Sequence, residues 1–126
     1  MSMSDRKSIL LVEDEEVTIA LSRRLLVDAG YKVDAAIEAG NAIKLLTSNH
    51  YDLVVLDIAM PNLDGFDIVQ LMESFHIKSK VVFLTNHEDK ETLDKVKKFN
   101  ISRVLSKEKD LMKLPVIIKE VLMSTN

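Results

Sequence analysis

The chain of 126 residues contains no cysteine. That absence excludes a disulfide scaffold and cysteine-based zinc or redox chemistry, and it suits a reducing compartment without requiring one. Long apolar segments are missing as well. The N-terminus M-S-M-S-D-R-K-S lacks the apolar stretch of a signal peptide, and no run approaches the roughly 18 apolar residues of a membrane span. There is also no strong excess of charge. With 20 acidic and 17 basic residues the formal net charge is -3, and without a basic tail nothing draws in nucleic acid or an anionic membrane. The three histidines, His50, His76 and His87, show no metal-ligand spacing. The hydrophobic fraction of 47% and charged fraction of 29% argue against both disorder and a fibrous fold. A single soluble cytoplasmic domain over 1–126, with a flexible tail over 1–7, is the resulting expectation.

What the sequence does contain is four apolar runs that each stop at reactive polar residues. Leu10–Val12 stops at Glu13 and Asp14, Leu53–Leu56 at Asp57, Val81–Leu84 at Thr85, and Val104–Leu105 at Ser106 and Lys107. Parallel strands buried on both faces read as such runs, and ligands collect beyond their carboxyl ends. Two or three carboxylates, a hydroxyl and an ammonium would then meet at one sheet edge. These are parts for holding a divalent metal and a phosphoryl group.

Between the runs the pattern turns helical. Glu16 to Ala29 carries Val17, Ala20, Leu21, Leu25 and Leu26 on one spacing, and Gly30 suits a helix stop. Tyr31 to Ile37 reads as a further strand, and Gly40 to Ser48 as a helix. Pro61 and Gly65 punctuate a loop before a helix over Gly65 to Phe75, Met60 and Pro61 fixing the loop and Gly65 requiring positive φ or close packing. The segment Glu88 to Lys98 is mostly charged, with Leu93, Val96 and Phe99 as its anchors, so a helix there would be loosely held. A last helix is expected over Val116 to Met123, with Pro115 near its first position. Five β/α repeats with short connections imply a doubly wound parallel sheet in an α/β/α sandwich, too short for an eight-stranded barrel.

The segments L-L-V-E-D-E, Y-D-L-V-V-L-D-I-A-M-P-N-L-D-G-F, V-V-F-L-T and V-L-S-K resemble, in order and across nearly the whole chain, the receiver domains of two-component response regulators. The resemblance implies a flavodoxin-like, CheY-like fold with strand order 2-1-3-4-5. It also implies phosphorylation of Asp57 by a sensor histidine kinase or histidine phosphotransfer protein. It places Mg²⁺, or alternatively Mn²⁺, on Asp14, Asp57 and the Ala59 carbonyl, with Glu13 acting mainly through water. Thr85 becomes the switch hydroxyl and Lys107 the phosphate-facing ammonium. By position alone, Asn86 could crowd or hydrogen-bond the phosphoryl site, and His87, two residues after Thr85, either shapes water access to it or, the commoner case, is simply solvated.

Residue chemistry gives each assignment a basis and an ordinary alternative. Asp57 is a carboxylate able to form an acyl phosphate, or else an N-cap. Clustered acids repel unless a proton or cation joins them, and a hard divalent ion suits all-oxygen ligands. Glu13 to Glu16 equally favours the first turn of a helix. Lys107 would neutralise charge in phosphoryl transfer, although a lone lysine is commonly solvated. Thr85 can donate one hydrogen bond, yet is also an ordinary β-branched strand residue.

Three departures bear on the switch. Glu108 follows Lys107 where these domains usually carry proline, Val104 stands where an aromatic is expected, and Asn86 replaces a small residue. The expected function is a signalling phosphoacceptor, not an enzyme, controlling an output protein that the sequence does not identify. No effector domain is expected, and Lys95, Lys97, Lys98 and Arg103 offer either an output surface or a solvated face. A pseudo-receiver that binds its partner without phosphorylation is the alternative. A haloacid-dehalogenase-like phosphatase is disfavoured, because Ala59 stands where that chemistry wants a second acid.

Overall fold

The computed structural model describes residues 6–86 and 88–124. Five strands, β1 (Ser8–Val12), β2 (Lys32–Ala36), β3 (Leu53–Asp57), β4 (Lys80–Thr85) and β5 (Arg103–Ser106), form one parallel sheet in the order β2-β1-β3-β4-β5. The helices are α1 (Glu16–Asp28), α2 (Ala39–Ser48), α3 (Gly65–Ser74), α4 (Lys90–Val96), α5 (Lys107–Asp110) and α6 (Leu114–Met123), with a 3₁₀ turn at Leu111–Lys113 before α6. This is the expected flavodoxin-like sandwich.

Side-chain alternation along the strands builds two cores. Leu10, Val12, Val54, Leu56, Val81 and Phe83 pack on α2, α3 and α4. Ile9, Leu11, Val55, Val82, Leu84 and Leu105 pack on the opposite side with Leu26 of α1 and Leu114, Ile117, Ile118 and Val121 of α6. Burial on both faces is why the central strands read as unbroken apolar runs.

Four local expectations change. The inward face of α1 is Thr18, Ser22 and Leu26, while Val17 is 76% and Leu21 36% exposed and Ala20 is exposed. Both stripes have helical spacing, and the sheet selects the smaller polar side chains. Helix α4 spans only Lys90–Val96, because Val96 is its one buried residue; Asp89 caps it by accepting the Thr92 N–H at 2.9 Å. Its flank is the Phe66 ring, with Phe99 5.3 Å away and the Lys95 ammonium 4.4 Å from the ring centre. Helix α6 begins at Leu114, and Pro115 falls in its first turn, where its missing N–H costs nothing. The four-residue helix α5 was not expected, having no apolar periodicity to announce it.

Two glycines serve different needs. Gly30 takes φ +98° at the end of α1, where Tyr31 N–H reaches back to the Leu26 carbonyl at 3.1 Å, a backbone turn glycine enters without strain. Gly65 serves close packing instead: a Cβ there would lie 3.0 Å from the Asp57 carbonyl oxygen, the Ile58 Cα and the Phe83 ring. Of the expected tail, residues 1–5 lie outside the described residues, and Lys7 is tied to the sheet through its carbonyl, which accepts the Lys32 N–H at 3.0 Å.

Candidate functional site

Strand register brings the acids together. Val12 of β1 lies opposite Leu56 of β3, so the next residues, Glu13 and Asp57, leave neighbouring strands at the same edge. Asp57 pairs with Leu84, and Thr85 with Ser106, which carries Thr85 and the following Lys107 to that edge as well. The loop after Asp57 is fixed by the Gly65 N–H, which donates to the Ile58 carbonyl at 2.8 Å, and by a capping box at α3. There Asp64 and Asp67 each accept the other's backbone N–H at 3.0 Å.

Glu13 is fully buried and Asp57 nearly so, whereas Asp14 is exposed. Asp57 Oδ1 accepts the Ala59 N–H at 3.1 Å, and Oδ2 accepts from Lys107 Nζ at 3.0 Å. The same ammonium stands 2.6 Å from Glu13 Oε1, an ion contact that leaves this buried oxygen without an aligned hydrogen bond. Glu13 Oε2 accepts the Glu15 N–H at 3.1 Å. One carboxylate oxygen from each of Glu13, Asp14 and Asp57 lies within 4.8 Å of the others.

Burial pushes the Glu13 carboxyl up to about 7, and its hydrogen bond to Asp57 adds to the rise; Lys107 and the Glu15 N–H offset only part of it. For Lys107 burial works against the ammonium, but Glu13 and Asp57 together raise it above the ordinary lysine value. Three clustered acids, two of them paired with one ammonium, leave an excess of negative charge at this edge. A proton on Glu13 relieves it, and so would a hard divalent cation with oxygen ligands. The donor set therefore fits Mg²⁺.

Glu13, Asp14, Asp57 and Lys107 are thus brought into one cluster. Thr85 is fully buried at the end of β4, and Asn86 is exposed immediately beyond it. His87 lies outside the described residues. Ala59 is exposed, and the group it offers to Asp57 is its N–H. Val104 is partly buried and packs with the α2–α4 core, so the sheet position expected to hold an aromatic ring holds a small branched side chain. The peptide bonds of the described residues are all trans, including Lys107–Glu108. Two contributors had no assigned role in the sequence. The Ser106 N–H donates to Asp110 and Ser106 Oγ accepts the Lys109 N–H, two bonds that bracket Lys107, and the only signal was a serine followed four residues later by an aspartate.

Comparison with known proteins decides the family. The family model of the response regulator receiver domain matches residues 9–119. The chain belongs to this family. A receiver domain from a Francisella response regulator superposes with a TM-score of 0.87 at 21% identity, covering 96% of this chain and all (100%) of that one, a likeness of fold. The Thermotoga maritima response regulator TrrA, solved in complex with Mg²⁺-BeF, gives a TM-score of 0.80 at 27% identity, covering 91% of this receiver domain and 98% of that chain. The Candida albicans transcription factor SKN7 is 36% identical over 99 residues, which is 79% of this chain and 18% of that protein. The receiver domain thus spans less than a fifth of that curated relative. Among the described residues no helix is long and apolar enough to cross a membrane.

Proposed function

We propose that this receiver domain accepts a phosphoryl group on Asp57 from a phosphohistidine of a sensor kinase or phosphotransfer protein in the cytoplasm, and thereby controls an output protein. The observation that carries the reading is the buried Asp57 carboxylate, with an ammonium at 3.0 Å and two further acids around it. In the transfer an Asp57 oxygen forms a bond to phosphorus as the phosphorus–nitrogen bond of the donor breaks. The bonding pair returns to the imidazole, which takes up a proton. Little covalent help is needed beyond alignment and neutralisation of oxygen charge. Lys107 supplies a fixed positive charge, and the Ala59 N–H orients the nucleophile. Glu13, Asp14 and Asp57, with the Ala59 carbonyl, would hold Mg²⁺ (Mn²⁺ is the other candidate), which when bound neutralises charge on the acids and on phosphoryl oxygens. The Mg²⁺-BeF complex of TrrA, a receiver-family relative, supports that choice.

Thr85 donates a hydrogen bond to the phosphoryl group, and Asn86 and His87 modulate its hydrolysis by water. The added charge shifts the β4–α4 loop and the thinly anchored α4 between two populations. The domain is in this reading a signalling acceptor without turnover of an external substrate. Incubation with acetyl phosphate and Mg²⁺ should add one phosphate-sized mass increment to the intact protein and none to Asp57→Asn. No increment in the wild type overturns the reading.

Val104, which leaves the switch without its ring, favours a second reading, a pseudo-receiver that binds its partner constitutively. Equal partner affinity for the untreated wild type, the acetyl phosphate-treated wild type and Asp57→Asn would support it.

A further inference from the structure

We infer that Asp110, acting with Ser106, is the positioning residue that holds the Lys107 ammonium between Glu13 and Asp57. The inference rests on Asp57 being the phosphoacceptor. Strand β5 ends at Ser106 in an extended conformation, and α5 begins at the very next residue. No loop residue intervenes to absorb error in the direction of Lys107. Asp110 Oδ2 accepts the Ser106 N–H at 2.8 Å, and Ser106 Oγ accepts the Lys109 N–H at 3.2 Å. This pair of bonds closes a ring of backbone around Lys107 and fixes the origin of its side chain.

The ring is needed because little else holds the turn. A four-residue helix has no stability of its own, and none of its residues is buried. The Lys109–Glu88 ion pair spans 3.7 Å between exposed side chains and contributes little. Lys107 nevertheless must keep a long, flexible side chain in one orientation, with only 10% of it exposed and its two partners at the ends of different strands. Ser106, at 5% exposure, and Asp110 supply that orientation through bonds to the backbone N–H groups on either side of Lys107.

The experiment combines two readouts. The first is the rate of phosphorylation by acetyl phosphate with Mg²⁺, at a temperature well below each variant's melting point. Asp110→Ala should lower it roughly 10- to 100-fold, a loss typical of displaced catalytic groups. Asp110→Asn, which keeps an acceptor for the Ser106 N–H, should restore most of it, and Ser106→Ala should fall between. Added to Lys107→Met, Asp110→Ala should cost nothing further. The second readout is the ¹H–¹⁵N resonance of the Lys107 ammonium in the untreated protein. It should match between wild type and Asp110→Asn and move toward a free lysine in Asp110→Ala. A full further loss in the Lys107→Met background, or an unmoved ammonium resonance in Asp110→Ala, overturns the inference. Failure of the wild type to take up phosphate would reject the proposed function instead, and the ammonium resonance would still decide the role of Asp110.

Discussion

On the β1–β3 side of the pocket every residue from Ile9 to Glu13 and from Leu53 to Ile58 is buried, whereas on the far side α4 buries only Val96 and β5 is an edge strand of four residues. The buried acids Glu13 and Asp57 of the proposed site stand on the first framework, and the loop and helix that would report its phosphorylation stand on the second. A rigid floor keeps the charges at fixed distances. A thinly anchored helix can be moved by the few kcal/mol that one phosphoryl group's contacts provide. The ring of Phe83 joins the two regions: it lies against Gly65 beneath the Asp57 loop and meets Phe66, which carries Phe99 and Lys95, at a centroid distance of 5.2 Å.

The contrast can be broken by comparing truncations on the two sides. Phe83→Ala should cost about 3–5 kcal/mol in urea denaturation, the range for a fully buried aromatic, while Val96→Ala on α4 should cost roughly 1–2 kcal/mol. Equal losses would show that α4 is as firmly held as the sheet.

Glu13 sharpens the comparison through pH. Its folded carboxyl, at about 7, lies above the ordinary 4.5, so between those values the folded state keeps a proton that the unfolded chain releases. Its favourable contribution is complete below about 4.5 and lost as pH rises through about 7, an effect on the order of 3 kcal/mol. Glu13→Gln should therefore gain stability relative to wild type between pH 5 and pH 8. Urea midpoints that keep a constant offset across that range would contradict it.

Gly65→Ala tests the close approach beneath Asp57. The new methyl group would meet backbone and the Phe83 ring at 3.0 Å, and overpacking of that kind costs about 1–3 kcal/mol. Thermal denaturation checks it, and an unchanged melting temperature would show that the floor yields. Lys95→Ala should have the smallest effect, about 0.5–1 kcal/mol from loss of the cation over Phe66. Its expected signature is faster amide hydrogen exchange in α4 with the β3 amides unchanged.

Both the fold and most of the pocket were legible because their signals are of one kind. A strand buried on both faces must be apolar throughout, so the places where apolarity stops at Glu13, Asp57, Thr85 and Ser106 mark the sheet edge directly. Helix faces were less legible. In α1 the expected set Val17, Ala20, Leu21, Leu25 and Leu26 and the small polar pair Thr18 and Ser22 both follow helical spacing, and contact with the sheet buries Leu26 of the first together with the second. Helix α5 was invisible to periodicity because Lys107 to Asp110 is charged throughout; hydrogen bonds to Ser106 define it, not burial. The role of Asp110 lay hidden for the same reason.

The most direct measurement is chemical localisation of the acyl phosphate. After treatment with acetyl phosphate and Mg²⁺, borohydride reduction converts a phosphorylated aspartate to homoserine, and peptide mass mapping finds the position. The result expected is homoserine at position 57 alone. Homoserine at position 14, or an unmodified Asp57 in a protein that has gained phosphate, would contradict the account.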